Sequence, residues 1–166
     1  EKVLGSPVLV GARVTVGSYD QSLHAGDAKT GKPAWTYETE GYVHATPAFD
    51  GAALVFGGCD GQLHLVAPDG KPVRKIALGT YIAGSAAVDA GRAYVGHYGN
   101  KFVCVDLAGG KVLWEYPTGN SPVFSSPALA SDRVVFGARD RKVHCVDRKT
   151  GKPLWTRATR GRVDSS

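Results

Sequence analysis

Apolar and polar residues alternate with a period of two along most of the chain. Stretches such as RVTVGSYDQSLHAGD, from Arg13, and RVVFGARDRKVHCVD, from Arg133, consist of short runs rich in β-branched and aromatic residues, separated by turn residues. This alternation is typical of short strands with one buried face. Helical periodicity is absent. The pattern therefore predicts an all-β fold.

The strand pattern repeats about every forty residues. Four landmarks recur in register: a Pro or Ala after small residues, a Gly that ends an apolar run, a Gly before Lys, and a Trp or Arg four residues later. Their positions are 7, 47, 86 and 127; 17, 57, 96 and 137; 31, 70, 110 and 151; and 35, 74, 114 and 155. Each repeat divides into four predicted strands, which is the unit of a β-propeller blade.

The segment GDAKTGKPAW, residues 26–35, begins like a phosphate-binding loop, with two glycines five residues apart followed by Lys32. A nucleotide loop also needs a Ser or Thr after the lysine, and here Pro33 has neither a hydroxyl nor an N–H group. Related segments recur at 69–74, 106–114 and 147–155. Because a site for one ligand should not appear four times at even intervals, we interpret the segment as a connection between the third and fourth strands.

These segments resemble the pyrroloquinoline-quinone-type (PQQ-like) propeller repeat, in which a small residue and Asp precede a Gly-Lys turn and a Trp. Three copies are complete: Ala25, Asp27, Gly31 and Trp35; Cys104, Asp106, Gly110 and Trp114; and Cys145, Asp147, Gly151 and Trp155. The resemblance implies that each Trp packs against the neighbouring blade. The second repeat has Arg74 in place of Trp, so we expect that blade to dock less tightly.

The repeats predict one partial propeller over residues 1–166. Its blades are expected at about 1–41, 42–80, 81–120 and 121–161, with 162–166 beginning a fifth. The resemblance implies a ring of seven or eight blades, so four blades leave two docking faces uncovered. We expect the remaining blades of the same chain or a second copy to complete the ring, and the isolated chain to dimerise or aggregate.

Composition and charge exclude several classes of protein. No window reaches the roughly 18 uncharged apolar residues of a membrane-spanning helix, and no signal peptide is visible. Cys59, Cys104 and Cys145 form no CxxC pair and are expected to pack as small apolar residues. Residues 139–162 carry nine Lys or Arg against two Asp, as either a solvated face or a basic patch. No nucleic-acid module accompanies them, so no nucleic-acid partner is predicted.

The loops after each fourth strand and those between second and third strands share one face of a propeller, around the central channel. Ligands bind most often there, which predicts a protein or small-molecule ligand at this face. The binding rim is predicted to contain His44, Thr46, Tyr81, Ser85, His97, Tyr98, Phe124, Ser126 and Arg139, with Tyr19, Tyr42, Cys59, Ser125, Asp164 and Ser165 beside them. His44 and His97 break the repeat pattern and are the stronger candidates for a specific role.

One set of aspartates and one set of histidines recur from repeat to repeat. They are Asp20, Asp60 and Asp140, and His24, His64 and His144. Capping of turn N–H groups explains the aspartates more simply than a shared ring of carboxylates. The histidines lie on separate blades, too far apart to share a metal ion, and are expected to pack on the outer face.

Quinoprotein dehydrogenases share this repeat and hold the quinone beside calcium, with carboxylate and amide ligands. This chain has no adjacent cysteines, only two asparagines (Asn100 and Asn120), and no Glu on a predicted innermost strand. We therefore predict no metal, no cofactor and no catalytic residue.

The resemblance favours a non-catalytic binding scaffold in a periplasmic or other extracytoplasmic setting. Such a scaffold is similar in kind to the propeller lipoprotein of the outer-membrane β-barrel assembly machine. The alternative is a segment of a quinoprotein dehydrogenase that oxidises alcohols or sugars with quinone and calcium.

Overall fold

Sixteen short strands form four antiparallel sheets in the computed structural model, which describes residues 1–164. No helix occurs within that range. Each sheet has four strands that neighbour one another in chain order. This confirms the predicted all-β fold of four-stranded blades, a partial β-propeller.

The strands of each sheet follow one another without crossovers. The first sheet contains β1 (Val8–Val10), β2 (Arg13–Ser18), β3 (Ser22–Asp27) and β4 (Pro33–Glu38). The second contains β5 (Ala48–Phe49), β6 (Leu54–Gly57), β7 (Gln62–Val66) and β8 (Pro72–Ala77). The third contains β9 (Ala87–Asp89), β10 (Arg92–His97), β11 (Lys101–Asp106) and β12 (Lys111–Pro117). The fourth contains β13 (Ala128–Leu129), β14 (Arg133–Ala138), β15 (Lys142–Asp147) and β16 (Pro153–Ala158).

The connection between the third and fourth strands is a turn closed by its own aspartate. In the first sheet, Asp27 Oδ1 accepts hydrogen bonds from Thr30 N and Thr30 Oγ1, both at 2.8 Å, and from Lys29 N at 3.1 Å. The bonds from Thr30 hold the pKa of Asp27 below its ordinary value. Gly31 has a φ of 70°, a conformation that glycine adopts without strain, and Lys32 is exposed. The fourth sheet repeats these bonds around Asp147.

The contact between two consecutive sheets, here called a joint, begins with a glycine notch near the channel. The second strand of each sheet carries a Gly against which a β-branched residue of the following segment packs. The pairs are Gly17 with Val43, Gly57 with Ile82, Gly96 with Val123, and Gly137 with Val163. A Cβ on any of these glycines would lie 2.1 to 2.5 Å from that side chain. Only glycine therefore fits at this position.

Farther from the channel, a tryptophan packs across the first joint, between the first and second sheets, and another packs across the third joint, between the third and fourth sheets. The Trp35 indole packs on Gly70 of the second sheet and donates a hydrogen bond to the Pro68 carbonyl at 3.0 Å. Trp114 packs on Gly151 of the fourth sheet in the same way and donates to the Arg148 carbonyl at 3.2 Å. These are the contacts that the repeat family implies for its tryptophans.

The second joint is built from aliphatic residues instead. Arg74 lies at the Trp position, beside Gly110 of the third sheet. A buried cluster of residues from the second and third sheets includes Val55, Leu65, Ile76, Ile82, Val95, Val103, Val105 and Leu107. This cluster supplies apolar contact where the indole is missing, and the weaker docking of this blade stays a prediction.

Two of the three recurring histidines, His64 and His144, lie in joints and not on the outer face, whereas the His24 side chain is 40% exposed. His64 is fully buried and stacks on Phe56, with ring centroids 5.1 Å apart. Its Nε2 lies 3.0 Å from the Asp60 carboxylate, and its Nδ1 lies 3.2 Å from the Tyr37 hydroxyl of the first sheet. Asp140, His144 and Tyr116 repeat the arrangement. The expectation of outer-face packing was wrong, because a Tyr from the preceding sheet covers each of these two rings.

Candidate functional site

A cavity of about 740 Å³ opens at the end of the sheets where second strands turn into third strands. Within residues 1–164 its wall contains Tyr19, Gln21, Glu40, Gly41, Tyr42, His44, Cys59, Tyr81, Ala83, Tyr98, Phe124, Arg139 and Asp164. We call this set the channel mouth. Its volume lies in the usual range for ligand pockets.

Turns between second and third strands supply one half of the channel mouth. They have three residues in the first, third and fourth sheets and four, 58–61, in the second. The residue two positions before the end of each turn lines the cavity, namely Tyr19, Cys59, Tyr98 and Arg139. The last residue of each turn has a positive φ, between 59° and 77°. This is the geometry of a turn that ends in a left-handed residue. The fold thus presents this equivalent turn residue of every blade toward the same cavity.

Alternation along the innermost segments supplies the other half. Val43 and Ile82 enter the glycine notches, so the residues on either side of them face the opposite way. Tyr42 and His44 flank Val43, and Tyr81 and Ala83 flank Ile82, and all four line the cavity. The notch therefore fixes which side chains reach the channel mouth.

Aromatic rings of the channel mouth form two contacting groups. Tyr19 stacks on Tyr42, with ring centroids 4.8 Å apart and planes 8° apart. Tyr98 contacts Tyr81 edge to face at 6.0 Å and Phe124 at 4.8 Å. Tyr42, Tyr81 and Tyr98 remain 48%, 57% and 47% exposed. An exposed arc of tyrosines can bind a partner through ring faces and hydroxyl groups.

His44 forms a hydrogen bond with Tyr19 at this site. Burial lowers the pKa of His44, and its Nδ1 lies 3.0 Å from the Tyr19 hydroxyl. Burial also raises the pKa of Tyr19, with Cys59 and Tyr42 adding to the shift. The pKa of the Cys59 thiol is raised by burial and by Asp60, so the thiol stays protonated at neutral pH. The side chains of Tyr19, His44 and Cys59 are therefore uncharged at neutral pH.

One ion pair closes the far end of the channel mouth. Arg139 donates to both carboxylate oxygens of Asp164, at 3.0 to 3.2 Å. These hydrogen bonds raise the pKa of Arg139. The guanidinium also lies over the Phe124 ring, 4.0 Å from its centroid. A cation stacked on an aromatic face and held by a carboxylate is a rigid polar anchor.

Of the nine residues named first for the predicted rim, five line the cavity and four do not. His44, Tyr81, Tyr98, Phe124 and Arg139 line the cavity. Thr46, Ser85 and Ser126 occupy equivalent positions farther along the innermost segments, where Ser6 N donates to Thr46 Oγ1 and Thr46 N donates to Ser85 Oγ. His97 is buried, and its Nδ1 accepts a hydrogen bond from Gly99 N. Ser165 lies outside the described residues.

Sequence reasoning missed Gln21 and Glu40 as lining residues. Gln21 is the left-handed third residue of the first turn, where two other blades have Gly61 and Asn100. Glu40 lies just after β4, where the chain leaves the first sheet for the second. A side chain at a position that usually holds Gly or Asn was the available signal for Gln21. No signal of this kind marks Glu40.

The donor set does not fit a quinone with calcium. Calcium needs several oxygen ligands, and the Asp164 carboxylate is already engaged by Arg139 through both oxygens. Within residues 1–164, no three His, Cys, Asp or Glu side chains come together in a way that could hold a metal ion. That the protein binds no cofactor stays a prediction.

Comparison with known proteins finds a sequence relative and a structural relative that are both named BamB. The chain is 28% identical over 111 residues to the outer membrane protein assembly factor BamB of Burkholderia pseudomallei (strain K96243), across 67% of this chain and 29% of that protein. It superposes on the crystal structure of BamB from Moraxella catarrhalis with a TM-score of 0.80 and 21% identity, across 95% of this chain and 50% of that one. This chain thus spans half or less of the length of both relatives.

A family model covers almost the whole sequence. The model described as outer membrane protein assembly factor BamB matches residues 1–74 and 59–165. Its two matches overlap between residues 59 and 74, as expected when one repeat pattern is found twice along a chain. Together with the four four-stranded sheets, these matches confirm the predicted PQQ-like propeller repeat. The chain belongs to the family described as outer membrane protein assembly factor BamB.

Proposed function

We propose that this chain is a binding scaffold of the bacterial envelope and that its channel mouth docks a protein partner. The observation that carries the proposal is the arc of Tyr42, Tyr81 and Tyr98, three half-exposed rings on one face. Tyr and Arg are enriched at the centres of protein interfaces. An exposed aromatic surface of this kind marks a site of interaction.

The relatives support an extracytoplasmic setting for this scaffold. Both are described as outer membrane protein assembly factors or as BamB, and a factor that assembles outer membrane proteins works through protein contacts. No helix in the described part of the chain has the length and apolarity to cross a bilayer. We infer that the partner is a protein of the outer-membrane assembly machinery. The ring is completed either by further blades of the same chain or by a second copy.

Site-specific photo-crosslinking tests the docking face. A photoreactive amino acid replaces Tyr81 at the channel mouth or, as the control, Lys32 in the turn at the opposite end of the sheets. The chain is then directed to the bacterial periplasm and irradiated. We expect a discrete adduct with an assembly protein from position 81 and none from position 32.

Competition separates specific docking from collision. An excess of the unmodified chain should suppress the adduct, whereas the triple variant Tyr42→Ser, Tyr81→Ser and Tyr98→Ser should not, because it lacks the arc. Its substitutions fall on half-exposed side chains, so circular dichroism should show a folded protein. Equal adducts from both positions, or suppression by the triple variant, would refute the proposal.

A further inference from the structure

A second cavity, of about 570 Å³, lies between the third and fourth sheets at the end opposite the channel mouth. Its wall comes from three turns, which join β9 to β10, β13 to β14, and β15 to β16. We call this cavity the joint cleft. The charged residues that line it are Asp89, Arg92, Asp132, Asp147, Arg148 and Lys149.

An arginine at the equivalent place in the first joint is used to hold two sheets together. Arg13 Nη1 donates to the Pro68 carbonyl of the second sheet at 3.2 Å. Arg92 has the same repeat position in the third sheet, since each lies four residues before the notch glycine of its sheet. The corresponding carbonyl of the third joint, that of Arg148, accepts the tryptophan indole N–H but no hydrogen bond from Arg92.

The Arg148 side chain makes the polar contacts across the third joint instead. It donates to the Tyr94 hydroxyl at 3.1 Å, to the Asp89 carboxylate, and to the Ala130 carbonyl at 3.1 Å. The bond to Asp89, followed by that to Tyr94, raises the pKa of Arg148. All three of its guanidinium nitrogens are therefore engaged. Arg92 remains partly buried, with no hydrogen bond or ion pair to any of residues 1–164.

Two of the three carboxylates in the joint cleft are already neutralised. Asp89 is paired with Arg148. Asp132 accepts hydrogen bonds from Arg133 through both of its oxygens, at 2.8 and 2.9 Å. Neither carboxylate therefore compensates the charge of Arg92.

Two cations and one carboxylate then remain. Arg92 and the Lys149 ammonium group have no ion-pair partner within the described range. The Asp147 carboxylate binds only uncharged donors, at the backbone of Lys149 and at Thr150. The joint cleft thus has an excess of one positive charge. This excess matches a singly charged carboxylate better than a phosphate group, which carries nearly two negative charges.

The shape and the other polar groups favour a peptide as the source of this carboxylate. The fork of an arginine side chain fits a carboxylate through two parallel hydrogen bonds. A volume of about 570 Å³ holds considerably more than one carboxylate. Asp89 and Asp147 each bond through one oxygen in the contacts above, so the other oxygen can accept a peptide N–H.

We propose that the joint cleft binds a carboxylate-bearing peptide segment, with the carboxylate held by Arg92 and Lys149. The carboxylate is either an acidic side chain or the end of a chain. This is a second binding surface, beyond the proposed function. Because it shares no residue with the channel mouth, the two proposals can fail independently.

NMR titration of the ¹⁵N-labelled 166-residue chain tests the inference. The probes are acetyl-Gly-Glu-Gly-amide, acetyl-Gly-Gly-Gly with a free carboxyl end, the uncharged acetyl-Gly-Gln-Gly-amide, and inorganic phosphate. At least one carboxylate peptide should produce saturable shifts of the N–H signals of residues 90–92 and 147–149. Its dissociation constant should be at least about tenfold lower than that of the Gln peptide. Comparison of the two carboxylate peptides identifies the source.

Variants of Arg92 test which residue holds the carboxylate. Arg92→Gln should raise the dissociation constant of that peptide at least about tenfold. Arg13→Gln is the matched control, because it removes the same charge at the same repeat position and should leave the dissociation constant unchanged. Arg92→Lys keeps the charge but loses the fork, so its affinity should lie between those of Arg92→Gln and the wild type. The dispersion of the N–H signals shows that each variant is folded.

Four results would overturn the inference. They are no saturable shift at the joint cleft with either carboxylate peptide, equal affinity for the Glu and Gln peptides, wild-type affinity in Arg92→Gln, and tighter binding of phosphate than of both carboxylate peptides. The first, second and fourth are measured on the wild type and do not depend on the folding of a variant.

Discussion

At the residue scale, Trp114 and Trp155 occupy the same repeat position in different environments. Trp114 is 9% exposed against the fourth sheet, and Trp155 is 40% exposed. The difference comes from what each indole faces, since the local turn sequences are closely related. How much such a tryptophan contributes to stability therefore depends on the sheet that its indole contacts and not on the sequence motif around it.

Trp35→Ala should lower the free energy of unfolding by about 3 kcal/mol. The substitution removes the indole packed on Gly70 and its hydrogen bond to the Pro68 carbonyl. Lys32→Ala, in the same segment, should change it by less than about 0.5 kcal/mol because Lys32 is exposed. Urea unfolding of the three proteins measures both effects. A larger loss for Lys32→Ala than for Trp35→Ala would reopen the nucleotide-loop interpretation.

At the element scale, the glycine notch determines both how two sheets pack and which side chains line the channel mouth. Val123 enters the Gly96 notch, and its backbone N–H donates to the His97 carbonyl at 3.4 Å. Its neighbour Phe124 faces the cavity. A shift of one residue along this segment would reverse both roles.

Gly96→Ala should destabilise the fold by about 2 kcal/mol, through overpacking. The new methyl would lie 2.2 Å from Val123 Cγ1 and 3.0 Å from the Val123 carbonyl oxygen, so the segment must move. Gly161→Ala is the control, since a Cβ at Gly161 meets no atom within 4 Å. Thermal melting should separate the two variants. Equal melting temperatures would show that the notch is not a tight contact.

The same elements show what the sequence could predict. The strands and the Asp-Gly turns recur with every repeat, so alternation and spacing were sufficient to identify them. The pairing of His64 with Asp60 was missed because the two residues were considered as separate repeated sets, although they are four residues apart and the turn before β7 brings them within 3.0 Å. Whether His97 or His44 faces the cavity depends on strand direction at the turn, which the repeat alone did not determine.

At the scale of the whole molecule, buried neutral histidines should make stability depend on pH. Burial lowers the pKa of His44, His64 and His97, which lie in or between three different sheets. In the unfolded chain the His pKa is about 6.5. Near and below that pH the unfolded chain therefore binds more protons than the folded chain. The free energy of unfolding should fall as the pH drops from about 7.5 to about 5.

His97→Asn should make this fall smaller. The Asn side-chain oxygen can accept the hydrogen bond that Gly99 N gives to His97 Nδ1, and it does not titrate. Urea unfolding at each pH measures the difference between variant and wild type. The lowered pKa values of Asp27 and Asp147 act only below about pH 4, outside this window. An identical pH slope for the two proteins would contradict a neutral, buried His97.

The self-contained turn around Asp27 also has a consequence for how such a chain can evolve. The hydrogen bonds of the Asp27 side chain involve only residues 27 to 30, and Ala28 N donates to the Ala12 carbonyl of the same sheet. A duplicated blade therefore carries a finished turn into its new place. The residues at the opposite end of each sheet differ from blade to blade, as Tyr19, Cys59, Tyr98 and Arg139 do. Gene duplication can therefore extend the framework while mutation diversifies only the rim, which lets a new binding specificity arise without a new fold.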